Sequence, residues 1–389
     1  MACILKLPEK NSKGVVMFTD MERDRFSKDK LLHKKILLLK DRWVVGLHHN
    51  LIDCRSDLNK IFDFAMSSPG QYNGDLPLIP FAACNFAPEC FHPSQNEKFW
   101  DILFVARAIK FKKVNEFLQC IRKLYDLGGK YRVMFICPIP SYKWRDRKTV
   151  IYNIRKIYDG MFSEEEKDLF TLLTADYREP FPFDRKTLAH FYKSSRIFVH
   201  SSKRETQGRV GCYAWASGMP VVGFSCIATT LPDELKIKPY FYEAKSYDDF
   251  PSLIEEAILS TKDGNNDEIK DWSKVISVFS ESSTKKALSL ELEKLFYSKG
   301  LAYVRGNETF GNLDTRVARH HSIEPNNLSV VMMSLHKFTD LLKNEIEIVT
   351  KAIDKEDPEV FLASLFPVQD GKKNFIFKFF KKIWLKKLI

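Results

Sequence analysis

A chain of 389 residues, 44% hydrophobic and 29% charged, has the composition of a globular protein with room for two separate cores, which excludes a disordered or fibrous chain. Its eight cysteines are scattered without a C-x-x-C pair, and Cys137 and Cys226 lie inside apolar runs, so they read as reduced core residues of a cytoplasmic protein and not as a zinc or disulfide framework. A formal net charge of +11 points to an anionic partner, of which a sugar nucleotide, an acidic lipid headgroup and nucleic acid are the classes. No helix-turn-helix, zinc-finger or RNA-binding signature accompanies that charge, so nucleic acid is not the expected partner.

In chain order, residues 14–18 (GVVMF) predict a short buried strand. Residues 28–40 set Leu31, Leu32, Ile36, Leu38 and Leu39 among lysines, the spacing of an amphipathic helix. Residues 43–47 read as a strand ending in His48 and His49, and two further strands are expected at 61–66 and 76–79 between Ser-Pro-Gly and Asn-Gly turns. A second unit begins near residue 96 with the strand FWDILFVA (99–106) and a helix over 114–127 that Gly128 and Gly129 stop. The strand YRVMFIC (131–137), a basic helix over 143–162, a strand near 169–173 and a helix over 185–194 capped by Asp184 follow. Beyond residue 234 come a strand in KPYFYEA, a helix over 247–260 and two helical stretches to about residue 298. Residues 300–327 are turn-rich, 328–353 suit a long amphipathic helix, and the chain ends in a basic, aromatic tail over 372–389. There is no solenoid-type repeat, and the alternation of strands and helices specifies doubly wound parallel sheets.

The stretch over 196–234 is the most informative. An apolar run (Ile197, Phe198, Val199) leads into a polar loop, then a helical segment that ends at Ser217 and Gly218, then Pro220 and a second apolar run. Strand, loop, helix, glycine stop and strand at this spacing make a βαβ unit. In parallel sheets ligands sit at the carboxyl ends of strands, against the amino ends of the following helices. That places the loop from Ser201 to Gly208, with Glu205 in its middle, where a phosphorylated ligand would be held.

This stretch resembles the signature of the retaining family-4 glycosyltransferases of the GT-B fold: a loop Glu, seven residues, a second Glu, then a small residue, Gly, x and Pro before a valine-rich strand. Glu205, Ala214, Ala216, Gly218, Pro220, Val221 and Val222 occupy matching places, whereas Tyr213 stands in place of the second Glu. VVGLHH resembles the family strand that delivers a His to the donor sugar, with His48 at the matching position. Arg107 and Lys112 follow FWDILFVA at the spacing of the family's Gly-Arg-Leu-x-x-x-Lys-Gly loop, with Ala106 and Lys113 in place of the two glycines. The resemblance implies an α/β protein of two Rossmann-like domains. These are an abridged acceptor-side domain over 1–95 and a nucleotide-sugar domain over 96–300, followed by a linker and helical extension over 301–371 and the tail.

The implied activity is transfer of a sugar from a nucleotide-diphosphate sugar to a glycan or lipid-linked acceptor, with retention. Such a reaction needs a neutralised diphosphate, a gripped sugar and tolerance of positive charge at the anomeric carbon. Arg107 offers planar bidentate donors and Lys112 a mobile point charge to the diphosphate, so neither a metal nor a cofactor is expected. Glu205 and His48 are the candidate catalytic residues, facing the donor sugar. Ser202, Lys203 and Gly208 on the Glu205 loop, and Thr229 and Thr230 on the loop after the second strand, are candidate substrate contacts. Tyr213 can accept one hydrogen bond where a carboxylate would grip both ribose hydroxyls. It leaves open an active enzyme with altered nucleotide contacts or a non-catalytic relative that binds a sugar nucleotide or a partner transferase.

The opening run MACILKLPEKNSK is too short in its apolar part for a secretory leader, and no apolar run spans a bilayer. The expected location is cytoplasmic. In the tail, Ile376, Phe379, Phe380 and Ile383 share one side of a helical wheel opposite Lys378, Lys381 and Lys382. Such a helix suits either an anionic membrane surface, on the inner face, or packing against the protein itself.

Overall fold

The structure is a computed structural model and describes residues 2–19, 28–48, 60–68, 72–82, 85–94, 96–138, 147–174, 183–205, 208–262, 272–306, 308, 339, 340, 342 and 343. The first sheet holds β1 (Ala2–Lys6), β2 (Gly14–Thr19), β3 (Trp43–His48), β4 (Phe64–Met66) and β5 (Leu78–Ile79) in that order, with α1 (Lys30–Leu39) between β2 and β3. All its pairs are parallel except β1 with β2.

The antiparallel edge strand β1 was not expected from the sequence. Its pattern is masked by Lys6, which is fully buried, donates to the Leu7 carbonyl at 3.1 Å, pairs with Glu9 at 3.4 Å and lies over the Tyr303 ring. A lysine in a run of apolar residues reads as a polar break, yet its ammonium is satisfied from within.

The second unit contains β6 (Trp100–Val105), α2 (Val114–Asp126), β7 (Val133–Cys137), α3 (Arg147–Met161), α4 (Glu164–Leu169), β8 (Phe170–Thr174), α5 (Arg185–Lys193), β9 (Ser195–His200), α6 (Arg209–Ala216), β10 (Val221–Gly223), β11 (Phe241–Glu243) and α7 (Phe250–Lys262). Two helices follow, α8 (Trp272–Phe279) and α9 (Glu281–Ser298). The strands run β11-β10-β9-β6-β7-β8, every pair parallel. Counted from β6, this is the doubly wound order 3-2-1-4-5-6 read from the β8 edge, so the order reverses between β6 and β9. The fold is α/β with two Rossmann-like sheets, the GT-B layout, and a helical portion at the end of the described chain.

Alternating residues of the second sheet feed two cores. Ile102, Phe104, Ile197 and Val199 pack with α2 and α7, whereas Leu103, Val105, Phe198 and Val221 pack with α5, α6 and α8. Burial on both faces is why these strands read as continuous apolar runs. The first sheet is covered differently on its two faces. Leu32, Ile36 and Leu39 of α1 cover one, joined by Leu342, whose carbonyl accepts from Trp43 Nε1 at 3.3 Å. The other face, with Val15, Met17, Val44, Phe64 and Met66, is covered by Leu288, Leu292, Leu295 and Phe296 of α9. The connection between the sheets is tied to these last helices, since Ala87 N–H donates to the Phe279 carbonyl and Thr284 Oγ1 to that of Asn85. Of the expected long helix over 328–353, only residues 339, 340, 342 and 343 are described, and the tail over 372–389 lies outside the described residues.

Candidate active site

The site forms where the strand order reverses, at the carboxyl ends of β6 and β9. After β6 the chain passes Ala106 and Arg107 into a 3-10 turn over Lys110–Lys112, and Lys113 then begins α2. Lys113 has φ 55°, the one positive φ outside glycine among the described residues. A lysine there is held in a left-handed conformation that glycine adopts without penalty. The local backbone is thus the one a Gly at this place would provide, and the Lys113 ammonium pairs with Glu116 at 2.7 Å.

After β9 the loop folds back onto this turn. Ser201 Oγ reaches the carbonyls of Lys112 and Lys113 at 2.9 and 3.0 Å, and Ser202 Oγ those of Phe111 and Arg204, both at 2.7 Å. Cys226 Sγ donates to the Ser202 carbonyl at 3.1 Å, so the loop after β10 joins the same seam. The loop then turns into α6 at Gly208, whose φ is +42° and whose α-carbon faces the Ile227 carbonyl so closely that a β-carbon would stand 3.0 Å from it.

This stitching brings Lys112 and Glu205 together as an ion pair, with side chains 15% and 12% exposed. His200, the last residue of β9 and almost fully buried, places Nε2 at 3.2 Å from Glu205 Oε2, the same oxygen that Lys112 holds. Burial alone would raise the Glu205 carboxyl, but the hydrogen bond from His200 and the Lys112 charge outweigh it and hold the group below the usual carboxylate range. Burial pushes the His200 imidazole down against the opposing pull of Glu205, so His200 stays neutral. Burial also pushes the nearby Cys226 thiol up to about 11, with Glu205 adding to the effect, which leaves it an unreactive thiol.

The remaining expected site residues fall into three groups. Arg107 is half-buried on the β6 loop, two residues beyond the strand, and Gly208 opens α6. Ser202 and Lys203 belong to the Glu205 loop, but their polar atoms are directed elsewhere than expected. The Ser202 hydroxyl is taken up by backbone carbonyls, and the Lys203 ammonium lies about equally far from the Phe224 and Tyr247 rings, at 5.0 and 4.9 Å from their centres.

Tyr213, Thr230 and His48 are packed into interiors. Tyr213 stacks on Phe91 of the inter-sheet connection at 4.0 Å, meets Tyr192 edge-on at 6.3 Å and sits in the core beside α5. Thr230 is buried with its hydroxyl 3.4 Å from Cys212 Sγ, while Thr229 is half-buried with its hydroxyl on the Cys226 carbonyl at 3.5 Å. His48 is fully buried at the carboxyl edge of the first sheet, opposite Thr19 and Met66 in register.

Two residues of the cluster were not singled out from the sequence: His200 and Cys226. The signal for His200 was available, since it is the first polar residue after the apolar run of β9 and therefore sits at the carboxyl end of that strand.

No family model matches the chain, and no curated protein matches it. Solved structures do. A glycosyltransferase from Rickettsia africae ESF-5 is 12% identical with TM-score 0.47, over 70% of this chain and 80% of that one. The GtfA/B complex is 12% identical with TM-score 0.46, and there the match spans 68% of this chain but only 55% of the other. The sucrose-phosphate synthase of Thermosynechococcus elongatus is 12% identical with TM-score 0.44, over 66% and 69% of the two chains.

Proposed function

We propose that this chain transfers a sugar from a nucleotide-diphosphate sugar to a glycan or lipid-linked acceptor, with retention at the anomeric carbon and without a metal. The observation that carries the reading is the meeting of Lys112 and Glu205 at the reversal point of a doubly wound sheet, where such sheets bind their ligands. Arg107 and Lys112 then neutralise the departing diphosphate. Glu205, ionised and largely withdrawn from water, faces the sugar and balances the positive charge that grows at the anomeric carbon. Lys112 is engaged by Glu205, so donor binding transfers its charge from carboxylate to phosphate. A lipid-linked acceptor fits the basic, aromatic composition of the tail over 372–389.

A second reading is favoured by one feature. Tyr213 is a core residue stacked on Phe91, so no carboxylate stands at that place of the motif, as in a relative that binds a sugar nucleotide without turning it over. The two are separated by a thermal-shift screen with UDP, GDP, ADP, CMP and dTDP compounds, followed by an assay of nucleotide release from donor sugars, with Glu205→Gln beside the wild type. Stabilisation with turnover that Glu205→Gln abolishes supports the transferase. Stabilisation without turnover for any donor supports the binding protein. A shift that Arg107→Ala leaves intact removes the phosphate role given to that residue.

A further inference from the structure

We propose that His200 is the positioning residue of this site, holding the Glu205 carboxylate in place by a hydrogen bond that does not depend on Lys112. The role in transfer rests on the function proposed above; the hydrogen bond itself does not.

Lys112 and His200 both engage Oε2 of Glu205. They differ in what they can do when an anion arrives. Lys112 sits on the turn after β6, and a diphosphate competes directly for its ammonium. His200 is fixed in the sheet, 2% exposed, with Val222 and Gly223 beside Val199 and His200 in the parallel register. Gly223 is part of this seat, since a β-carbon there would stand 3.0 Å from the His200 carbonyl oxygen and 3.4 Å from its β-carbon. An ionised carboxylate only accepts, so Nε2 carries the proton, and Nδ1 bears the lone pair, buried and without a hydrogen-bond partner among the described residues. Among the described residues, the imidazole therefore directs its hydrogen bonding to Glu205 and to no other side chain. Burial keeps the ring neutral, so it orients the carboxylate without cancelling its charge. When Lys112 leaves for phosphate, Glu205 therefore keeps both its direction and its negative charge. Among the described residues, Glu205 and Lys112 are the titratable groups whose charge acts on the ring.

The test compares His200→Gln, whose amide nitrogen reaches as far as Nε2, with His200→Leu, which removes the donor. Nitrogen-15 spectra of labelled histidine report the tautomer. The wild type and Lys112→Met are both expected to show His200 as the Nε2–H tautomer, and Glu205→Leu to lose that signature. An Nδ1–H tautomer in the wild type, or its appearance in Lys112→Met, overturns the proposal with no ligand needed. For turnover, His200→Leu is expected to lower kcat about 10-fold, the rate equivalent of one lost hydrogen bond, with donor KM changed less than about twofold, and His200→Gln to recover most of it. Equal losses in both variants, or none in either, overturn the role in transfer. A wild type that binds no nucleotide overturns the sugar-nucleotide reading, while the tautomer measurement still decides the hydrogen bond.

Discussion

The Lys112 ammonium and the Glu205 carboxylate meet as an ion pair across 93 residues of sequence, joining the loops that follow two adjacent parallel strands. Both side chains are largely withdrawn from water, so removing either one takes the paired opposite charge from the other. Lys112→Met and Glu205→Gln are each expected to cost about 2 kcal/mol, less than a fully buried pair because some exposure remains. The double variant should recover more than half of the summed loss, as a double-mutant cycle of urea midpoints would read out. Additive losses would mean that the pair contributes nothing beyond its separate members.

Lys113 offers the opposite sign. Its left-handed backbone carries a penalty of about 1–2 kcal/mol, against which glycine brings about 0.5–1 kcal/mol of extra chain entropy to lose. Lys113→Gly should therefore raise stability by about 0.5 kcal/mol, as the shift of the denaturant midpoint at constant slope. A destabilised Lys113→Gly would show that the ion pair with Glu116 outweighs the backbone.

Gly208 is constrained by its φ and by Ile227 together. Gly208→Ala adds about 1–2 kcal/mol of strain and pushes the start of α6 away from the 3-10 helix over Ser225–Thr230. Loss of stability and weaker nucleotide binding should appear in the same variant. Thermal unfolding with and without nucleotide measures both, and a variant with wild-type values in each would remove the constraint.

Tyr213 tests whether a motif residue can be restored. Tyr213→Phe keeps the ring stacked on Phe91 and should change stability by no more than about 1 kcal/mol. Tyr213→Glu, which writes in the residue of the family motif, buries a carboxylate against two aromatic rings and should cost about 3 kcal/mol or more. Gain of turnover in Tyr213→Glu without loss of stability would contradict the core placement.

Acid sensitivity should trace to paired carboxylates. The Arg122 guanidinium bonded to both oxygens of Glu166, helped by the Ser163 amide, holds that carboxyl down at about 2 despite the opposing effect of burial. A depressed carboxylate contributes its stability fully above the unfolded value of about 4.3 and loses it as pH falls toward the folded one. The Glu166 share of stability should therefore be level from pH 7 to about 4.5 and decline between there and about 2, whereas buried His200 begins to cost stability already below the ordinary histidine value of about 6.5. Glu166→Gln should cost about 1 kcal/mol at pH 7 and flatten that decline. An unchanged slope in denaturant titrations across this window would assign acid sensitivity elsewhere.

Local chemistry explains which parts of this molecule could be read from sequence. β6, β7, β9 and β10 are buried on both faces, so their apolar runs were unmistakable, and Gly218 after α6 and Asp184 before α5 marked helix ends as such residues do. The meeting of Lys112 with the Glu205 loop agrees with the resemblance, which put both at one donor site. β1 was illegible because a buried lysine interrupts it. The fate of Ser202 and Tyr213 was illegible for another reason: whether a polar group faces a ligand or its own backbone depends on what packs against it, here the 110–113 turn and Phe91. A histidine at a strand end carries no motif of its own, so His200 has no sequence signature beyond its place after the apolar run of β9.

The covering of the first sheet has a consequence for synthesis. One face of that sheet is largely covered once α1 has formed, with Leu342 added later, but the other waits for Leu288, Leu292, Leu295 and Phe296. At 5–20 residues per second the ribosome takes roughly 10–50 s between finishing β4 and delivering these side chains. During that interval Val15, Met17, Val44 and Phe64 present a bare apolar surface beside an incomplete chain. The first-made strands are thus among the last to be sealed, and the growing chain carries this apolar surface through most of its synthesis.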